Sequence, residues 1–379
     1  MWLSSLDSYL VMNTLTLGHF KNIFPIGLGM GVPGAYPDSK LFFKKLKNVL
    51  DYAVDSGVNF FDTAPVYGNG ISEEIFKTIN PNIRSKLCIA SKVSPDNLEK
   101  KSFIKSVEES LVRAGLDYID LIQIHWPNKN IPIEDTLEAV QYLIDSRKVL
   151  RFGVCNFSKK EINELTNYAG MDMLSSAQSV FNCFDLNASK EVHSFCKHNE
   201  KLFIAYSPLA QGYLVNGEKQ KMILNDYALK YKASSSQIIL RFLLDFTNTL
   251  VIPSTSKKVR LDDYINSVNI DISKKDFQEM HQMLIPKIQN IDTKMIQVTD
   301  KYNRKTYNTL IEAVENKLNM CPSPIDMSKA LLEESEMLPV RVKKVKKNQF
   351  DLVEGRLRYW AWVLAYGWEK SIPVIIHED

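Results

Sequence analysis

Eight short apolar runs, longer amphipathic segments of helical period between most of them, and polar or charged residues where several runs end predict an α/β fold. The expected architecture is a (β/α)₈ TIM barrel followed by a small α/β domain. The runs are FPIGLGM (24–30), VNFFD (58–62), LCIASK (87–92), IDLIQIHW (119–126), VLRFGVCNF (149–157), SSAQSVF (175–181), LFIAYSPL (202–209) and TLVIPST (249–255). Most lack the apolar/polar alternation of a half-exposed strand, as expected of parallel strands covered on both faces. Helical texture fills 43–57, 103–116, 133–148, 159–170 and 235–246. Its punctuation agrees, with Gly57 and Gly115 where helix-ending glycines belong and Ser158 where an N-cap belongs. A doubly wound open sheet shares the alternation, but no GxGxxG follows an early run.

The 379 residues, 45% of them hydrophobic, suffice for a barrel plus an extra piece. The near balance of 47 basic and 44 acidic residues gives no overall field that points to nucleic acid or a membrane surface. Five cysteines, an odd number without a CxxC, argue against a disulfide framework and for a reducing, cytoplasmic setting. No stretch approaches the roughly 18 apolar residues of a membrane span, and no metal is expected. The opening MWLSSLDSYLVMNTLTLG lacks a basic leader and a small-residue cleavage site; it reads as ordinary chain, or as an early start ahead of Met12.

The alternation stops after about residue 286. A polar helical stretch, IDMSKALLEESE, a hairpin-like LPVRVKKVKKNQFDLVEG turning at Lys347-Asn348, a helix GRLRYWAWVLAYGW and a strand IPVIIHE follow. Three of the five tryptophans, Trp360, Trp362 and Trp368, fall here, so the segment should own a core. The expected division is 1–290 for the barrel and 291–379 for the second domain.

In a (β/α)₈ barrel the chemistry lies at the C-terminal strand ends. Asp62 ends the second run, with Tyr67 in the loop behind it; Lys92 ends the third and His125 the fourth. Reducing a carbonyl requires a proton donor at oxygen, and a positioned acid contributes roughly 10²–10⁴-fold. A phenol, with an ordinary pKa of about 10, becomes a better acid beside an ammonium. A carboxylate keeps that ammonium charged and oriented, and an imidazole can orient the substrate oxygen. Taken singly, each residue also has a plainer role as a cap, a surface ring or a packing group.

These segments resemble the aldo-keto reductase family over residues 20–285: FFDTAPVYG its aspartate–tyrosine signature, IASKV its lysine segment and DLIQIHWP its histidine segment. The resemblance implies NADPH, with NADH as the alternative, bound without a Rossmann domain, and Tyr67 as general acid tuned by Lys92 and Asp62. It assigns Asn156 and Gln178 to the nicotinamide carboxamide, with Cys155 where a serine is usual. Tyr206 would stack on the ring, and Ser207, Leu209 and Gln211 would lie near the pyrophosphate. Arg260 and Asp263 match the residues that grip the adenosine phosphate, whereas Ser254 and Tyr264 replace a lysine and an asparagine. Met30 and Trp126 should line a pocket for a small-molecule carbonyl or alcohol.

Residues 292–379 resemble the ParB/sulfiredoxin-like fold through FDLVEGRLRYWAWVLAYGWEKSIPVII. A glycine turn opening a helix with arginines in its first turn is an anion site in principle, which singles out Gly355, Arg356 and Arg358 and a nucleotide ligand. Arg356 stands where sulfiredoxin chemistry needs a cysteine, and Leu357 breaks the usual arginine pair. Two other readings stay open: a barrel that senses NADPH while the C-terminal domain carries the output, and a C-terminal nucleotide-dependent catalyst.

Overall fold

The computed structural model describes residues 14–31, 39–183, 186–212, 218–284, 288–299, 307–318, 320, 322–332, 337 and 339–377. The chain begins with an antiparallel hairpin, β1 (Leu15–Leu17) and β2 (Phe20–Ile23). Eight parallel strands follow: β3 (Leu28–Gly29), β4 (Phe60–Asp62), β5 (Cys88–Val93), β6 (Ile119–Ile124), β7 (Val149–Cys155), β8 (Leu174–Val180), β9 (Leu202–Tyr206) and β10 (Thr249–Ile252). Each predicted run coincides with one of them, β5 and β8 each reaching one residue beyond their runs. They pair in chain order, and a bridge between Ile26 and Val251 joins the first to the last and closes the barrel. Backbone bonds along that seam run from Gly27 N to Val251 O at 2.9 Å, from Val251 N to Pro25 O at 3.0 Å and from Gly29 N to Pro253 O at 3.1 Å.

Helices cover the outer wall: α1 (Ser39–Asp55), the short α2 (Ile71–Glu74), α3 (Lys100–Ala114), α4 (Ile133–Asp145) and α5 (Lys159–Ala169). The set continues with α6 (Leu186–His198), α7 (Glu218–Tyr231), α8 (Ser235–Leu244), α9 (Lys258–Asn266) and α10 (Lys274–Leu284). Ser158 caps α5 in a capping box with Glu161, and Gly115 ends α3 in a left-handed conformation at φ 63°. The apolar stripes of these helices and the outward residues of the strands form the main core. Inside the barrel, Phe60, Cys88, Leu121, Leu202, Ile204 and Leu250 pack with Leu17 and Ile23 of the hairpin. The hairpin thus stoppers the N-terminal end of the barrel, a role not foreseen for a segment taken as plain chain. The opposite end is left for chemistry.

The C-terminal sheet has the order β11 (Ile288–Asp292), β15 (Ser371–His377), β13 (Val340–Lys346), β14 (Gln349–Glu354), β12 (Ile296–Gln297). The β13–β14 hairpin turns at Lys347 and Asn348, the latter at φ 60°, as its sequence predicts. Helices α11 (Leu310–Val314), α12 (Pro324–Leu332) and α13 (Arg356–Tyr366) accompany the sheet, and Tyr359, Trp360, Leu352 and Val374 anchor a separate core. The expected boundary at 290 falls inside β11. β11 starts at Ile288 and pairs along its length with β15, so the second unit begins before that point. Ile375 of β15 packs with the main core of the barrel.

Candidate active site

The tetrad assembles as its strand-end placement requires. Lys92 is fully buried, and its Nζ lies 2.5 Å from Asp62 Oδ2, 3.1 Å from Thr63 O and 3.4 Å from Tyr67 Oη. The other Asp62 oxygen, Oδ1, accepts from Gln178 Nε2 at 2.7 Å and from Gln123 Nε2 at 3.4 Å. Asp62 thus has hydrogen-bond partners on both oxygens, as a buried carboxylate must. His125 lies edge-on to Tyr67, with ring centroids 6.0 Å apart, and stacks on Trp126 at 3.7 Å. Met30 is buried at the end of β3, and the half-buried Trp126 lies over His125.

Electrostatics divide the protons unambiguously. Burial works against the Lys92 ammonium, but the adjoining Asp62 carboxylate, together with Tyr67 and Cys155, more than offsets this and raises its pKa. Burial and the nearby Lys92 charge push His125 down to about 2, so the imidazole is neutral. Its Nδ1 is buried without a hydrogen-bond partner. Tyr67 departs from expectation. Burial carries its phenol up to about 12, and the lowering effect of Lys92 is not enough to reverse this. The hydroxyl is held protonated in the resting site instead of being preset for release.

The residues assigned to a nicotinamide form a connected cluster beside this tetrad. Asn156 is left-handed at φ 63°, a conformation that asparagine tolerates better than most residues. Its Nδ2 donates to His125 O at 3.0 Å, and its Oδ1 accepts from Tyr206 Oη at 2.8 Å. Cys155 Sγ lies 3.4 Å from Gln178 Oε1 and 3.2 Å from Asn156 Nδ2, within hydrogen-bond reach of both. Ser207, at φ 49°, starts a tight turn with its carbonyl accepting from Ala210 N, and Leu209 lies in that turn. The side chain of Gln211 lies outside the described residues. Arg260 is exposed in the first turn of α9, next to the exposed Lys257 and Lys258. Asp263 is bound instead by Ser234 Oγ at 2.6 Å, and Tyr264 is buried in the core. Ser254 stands against the β3 backbone, where a Cβ on Gly29 would meet its Oγ at 2.6 Å.

The C-terminal arginines do not fulfil the expectation of an anion site. Gly355 does cap α13 in a left-handed conformation, at φ 94°. The buried Arg356, however, is bound by Asn308 Oδ1 and Thr299 O, and Arg358 donates to Pro339 O at 2.8 Å. The unit's own oxygens therefore take up these donors. Sequence reasoning passed over Gln123, which faces Asp62, and Glu73, a buried carboxylate behind the Tyr67 loop. A polar residue inside the apolar run IDLIQIHW was the available signal for Gln123; Glu73 offered none.

A model of the aldo/keto reductase family matches residues 25–285, ending ahead of β11. Methylglyoxal reductase YeaE of Escherichia coli is 27% identical over 221 residues, covering 58% of this chain and 78% of that protein. Glyoxal reductase of Bacillus subtilis is 30% identical over 228 residues, covering 60% of this chain and 79% of that protein. An aldo/keto reductase from Klebsiella pneumoniae, solved in complex with NADP and acetate, shares the fold. Its TM-score is 0.67 at 23% identity, covering 73% of this chain and 96% of that one.

Proposed function

The chain belongs to the aldo/keto reductase family, and we propose that it is an NADPH-dependent oxidoreductase interconverting a small carbonyl compound and its alcohol, with Tyr67 as proton donor. The observation that carries this reading is the buried Asp62–Lys92 pair with the Tyr67 hydroxyl 3.4 Å from Lys92 Nζ, beside a neutral His125. The donor set fits a nicotinamide. Two strand-end amides, Asn156 and Gln178, stand beside the tetrad with the Tyr206 ring adjoining them. In this reading the amides grip the carboxamide edge and Tyr206 flanks the ring. Arg260, with Lys257 and Lys258, meets the 2′-phosphate, which favours NADPH over NADH.

When bound, the cofactor supplies hydride to the carbonyl carbon. His125, as a neutral donor, orients the carbonyl oxygen against Tyr67. Tyr67 gives that oxygen its phenolic proton as negative charge develops there, and Lys92 stabilises the phenolate left behind. Asp62 holds Lys92 charged and aimed. The names of the Escherichia coli and Bacillus subtilis relatives make methylglyoxal and glyoxal the first substrates to try.

The test is Tyr67→Phe, assayed for NADPH-dependent reduction of both aldehydes and for NADPH binding by fluorescence. The expected outcome is loss of turnover by about 10²–10⁴-fold with affinity for NADPH retained. A variant that turns over normally would remove Tyr67 from the chemistry. For the C-terminal unit, the order β14, Gly355, α13, β15 supports the ParB/sulfiredoxin-like fold as a proposal. The engagement of Arg356 and Arg358 gives no support to a nucleotide there.

A further inference from the structure

The loop that carries Tyr67 is built to stay in place. Gly68, Asn69 and Gly70 are consecutive left-handed residues, at φ 63°, 51° and 90°, a backbone open to glycine and asparagine at little cost. The loop is fastened at its start and just past its end: Thr63 Oγ1 and Ser72 Oγ are 2.7 Å apart, and Ser72 Oγ reaches Ala64 O at 3.3 Å.

The stronger fastening is one residue further on. Glu73 of α2 is 1% exposed, and its two oxygens have different partners. Oε1 accepts from Ser91 Oγ at 2.7 Å, and Oε2 from Arg113 Nε at 2.6 Å; Arg113 Nη2 in turn donates to Ser110 Oγ at 2.9 Å. Arg113 crosses to this carboxylate directly over Gly70, where any Cβ would lie 2.8 Å from Arg113 Cδ. Gly70 therefore serves the brace twice, by its backbone conformation and by its missing side chain.

Ser91 is the neighbour of Lys92 on β5, and successive strand side chains point to opposite faces. Lys92 reaches the Asp62–Tyr67 site, while Ser91 holds Glu73 behind the barrel wall. The strand that positions the ammonium is thereby tied to the element immediately following the phenol's loop. A buried carboxylate with partners on both oxygens is costly to leave unpaired, so Ser91 and the partly exposed Arg113 hold Glu73 in one position.

We propose that Glu73, held by Arg113 and Ser91, is a positioning residue that sets the Tyr67 hydroxyl against Lys92 for proton delivery. The inference rests on the reading of Tyr67 as proton donor. It implies that Glu73 acts through kcat and leaves cofactor affinity alone.

The test uses Glu73→Gln and the milder Ser91→Ala in the full-length protein, with Asp120→Asn as a matched control. Asp120 is also a buried carboxylate, paired with Arg84 at 2.7 Å and accepting from Ile89 N on β5 at 2.9 Å, but it touches no tetrad residue. Steady-state kinetics with methylglyoxal, NADPH binding and the ¹³Cζ resonance of Tyr67, assigned by its loss in Tyr67→Phe, are the readouts. Glu73→Gln should lower kcat by about 10²-fold, the order expected for displacement of a catalytic group by an ångström, and shift the Tyr67 resonance. Ser91→Ala should move both in the same direction by less. Asp120→Asn should lose stability while its folded fraction keeps kcat and the resonance. If Glu73→Gln and Ser91→Ala behave as Asp120→Asn does, the brace is only structural and the proposal is overturned. A wild-type protein that reduces no carbonyl would overturn the reading of the function, yet the Tyr67 resonance would still judge the brace.

Discussion

Acidification should destabilise this protein through His125 in a way that can be isolated. The imidazole is 3% exposed, its Nδ1 has no hydrogen-bond partner, and its rings of contact are Tyr67 and Trp126. Burial and the Lys92 ammonium hold its pKa down to about 2, against about 6.5 in the unfolded chain. A depressed folded-state pKa means that the unfolded state takes up the proton first. Stability is therefore intact above about pH 6.5 and falls as pH drops towards 2, by about 1.4 kcal/mol per pH unit. Between pH 7 and pH 5 the loss assigned to His125 is about 2 kcal/mol. The assay is urea unfolding of wild type and His125→Asn at both pH values. Other groups titrate alike in the two proteins, so the difference between their pH-dependent losses isolates His125. Wild type should lose about 2 kcal/mol more than the variant. Equal losses would refute the inference of a neutral, unsolvated imidazole, and with it the role of His125 as a donor that adds no charge.

Other outcomes follow from the same geometry. Lys92→Met leaves Asp62 buried without its cation and should cost about 3–5 kcal/mol, read from the denaturant midpoint. Combining it with Asp62→Asn should recover much of that stability but none of the turnover; recovered turnover would reduce the pair to a structural role. Gly31→Ala places a Cβ 3.1 Å from Tyr67 Cε2, although the backbone at 31 is not left-handed and accepts alanine. The ring must move, and kcat should fall by about ten- to hundredfold with folding unaffected; an unchanged kcat would show that Tyr67 tolerates the displacement.

The barrel was legible because its strands are buried on both faces. Eight apolar runs stand out, and a single ionisable residue closing a run, as in FFD, ASK and QIH, betrays a strand end that opens on a pocket. What escaped was whatever depends on distance in space. The hairpin β1–β2 is too short to carry a period, and its stoppering role appears only when Leu17 and Ile23 meet Phe60 and Leu250. β11, IQNID, is exposed at its first three residues and offers no apolar run that would mark it as a strand. Glu73 meets a partner forty positions away. The direction of the Tyr67 shift was misjudged for a related reason: sequence identifies a neighbouring ammonium but not the extent of burial, and burial prevails.

That misjudged shift explains why the site needs four different side chains. The Lys92 ammonium is balanced by Asp62, with Oδ2 at 2.5 Å from Nζ and Oδ1 taken by Gln178 at 2.7 Å, so the resting pocket has no excess charge. A second cation at His125 would be buried away from water and unpaired beside Lys92, which is why the imidazole stays neutral. A phenol raised to about 12 does not lose its proton to the resting site. In the proposed reaction, the arrangement changes only when negative charge grows on a substrate oxygen beside Tyr67. Proton transfer then makes a phenolate within reach of an ammonium already buried and oriented, and the 3.4 Å contact, long for a ground-state hydrogen bond, can tighten. The interaction is weak before the reaction and strong during it, and only interactions of that kind accelerate a chemical step. Preset ionisation of Tyr67 would have spent the same attraction in the ground state.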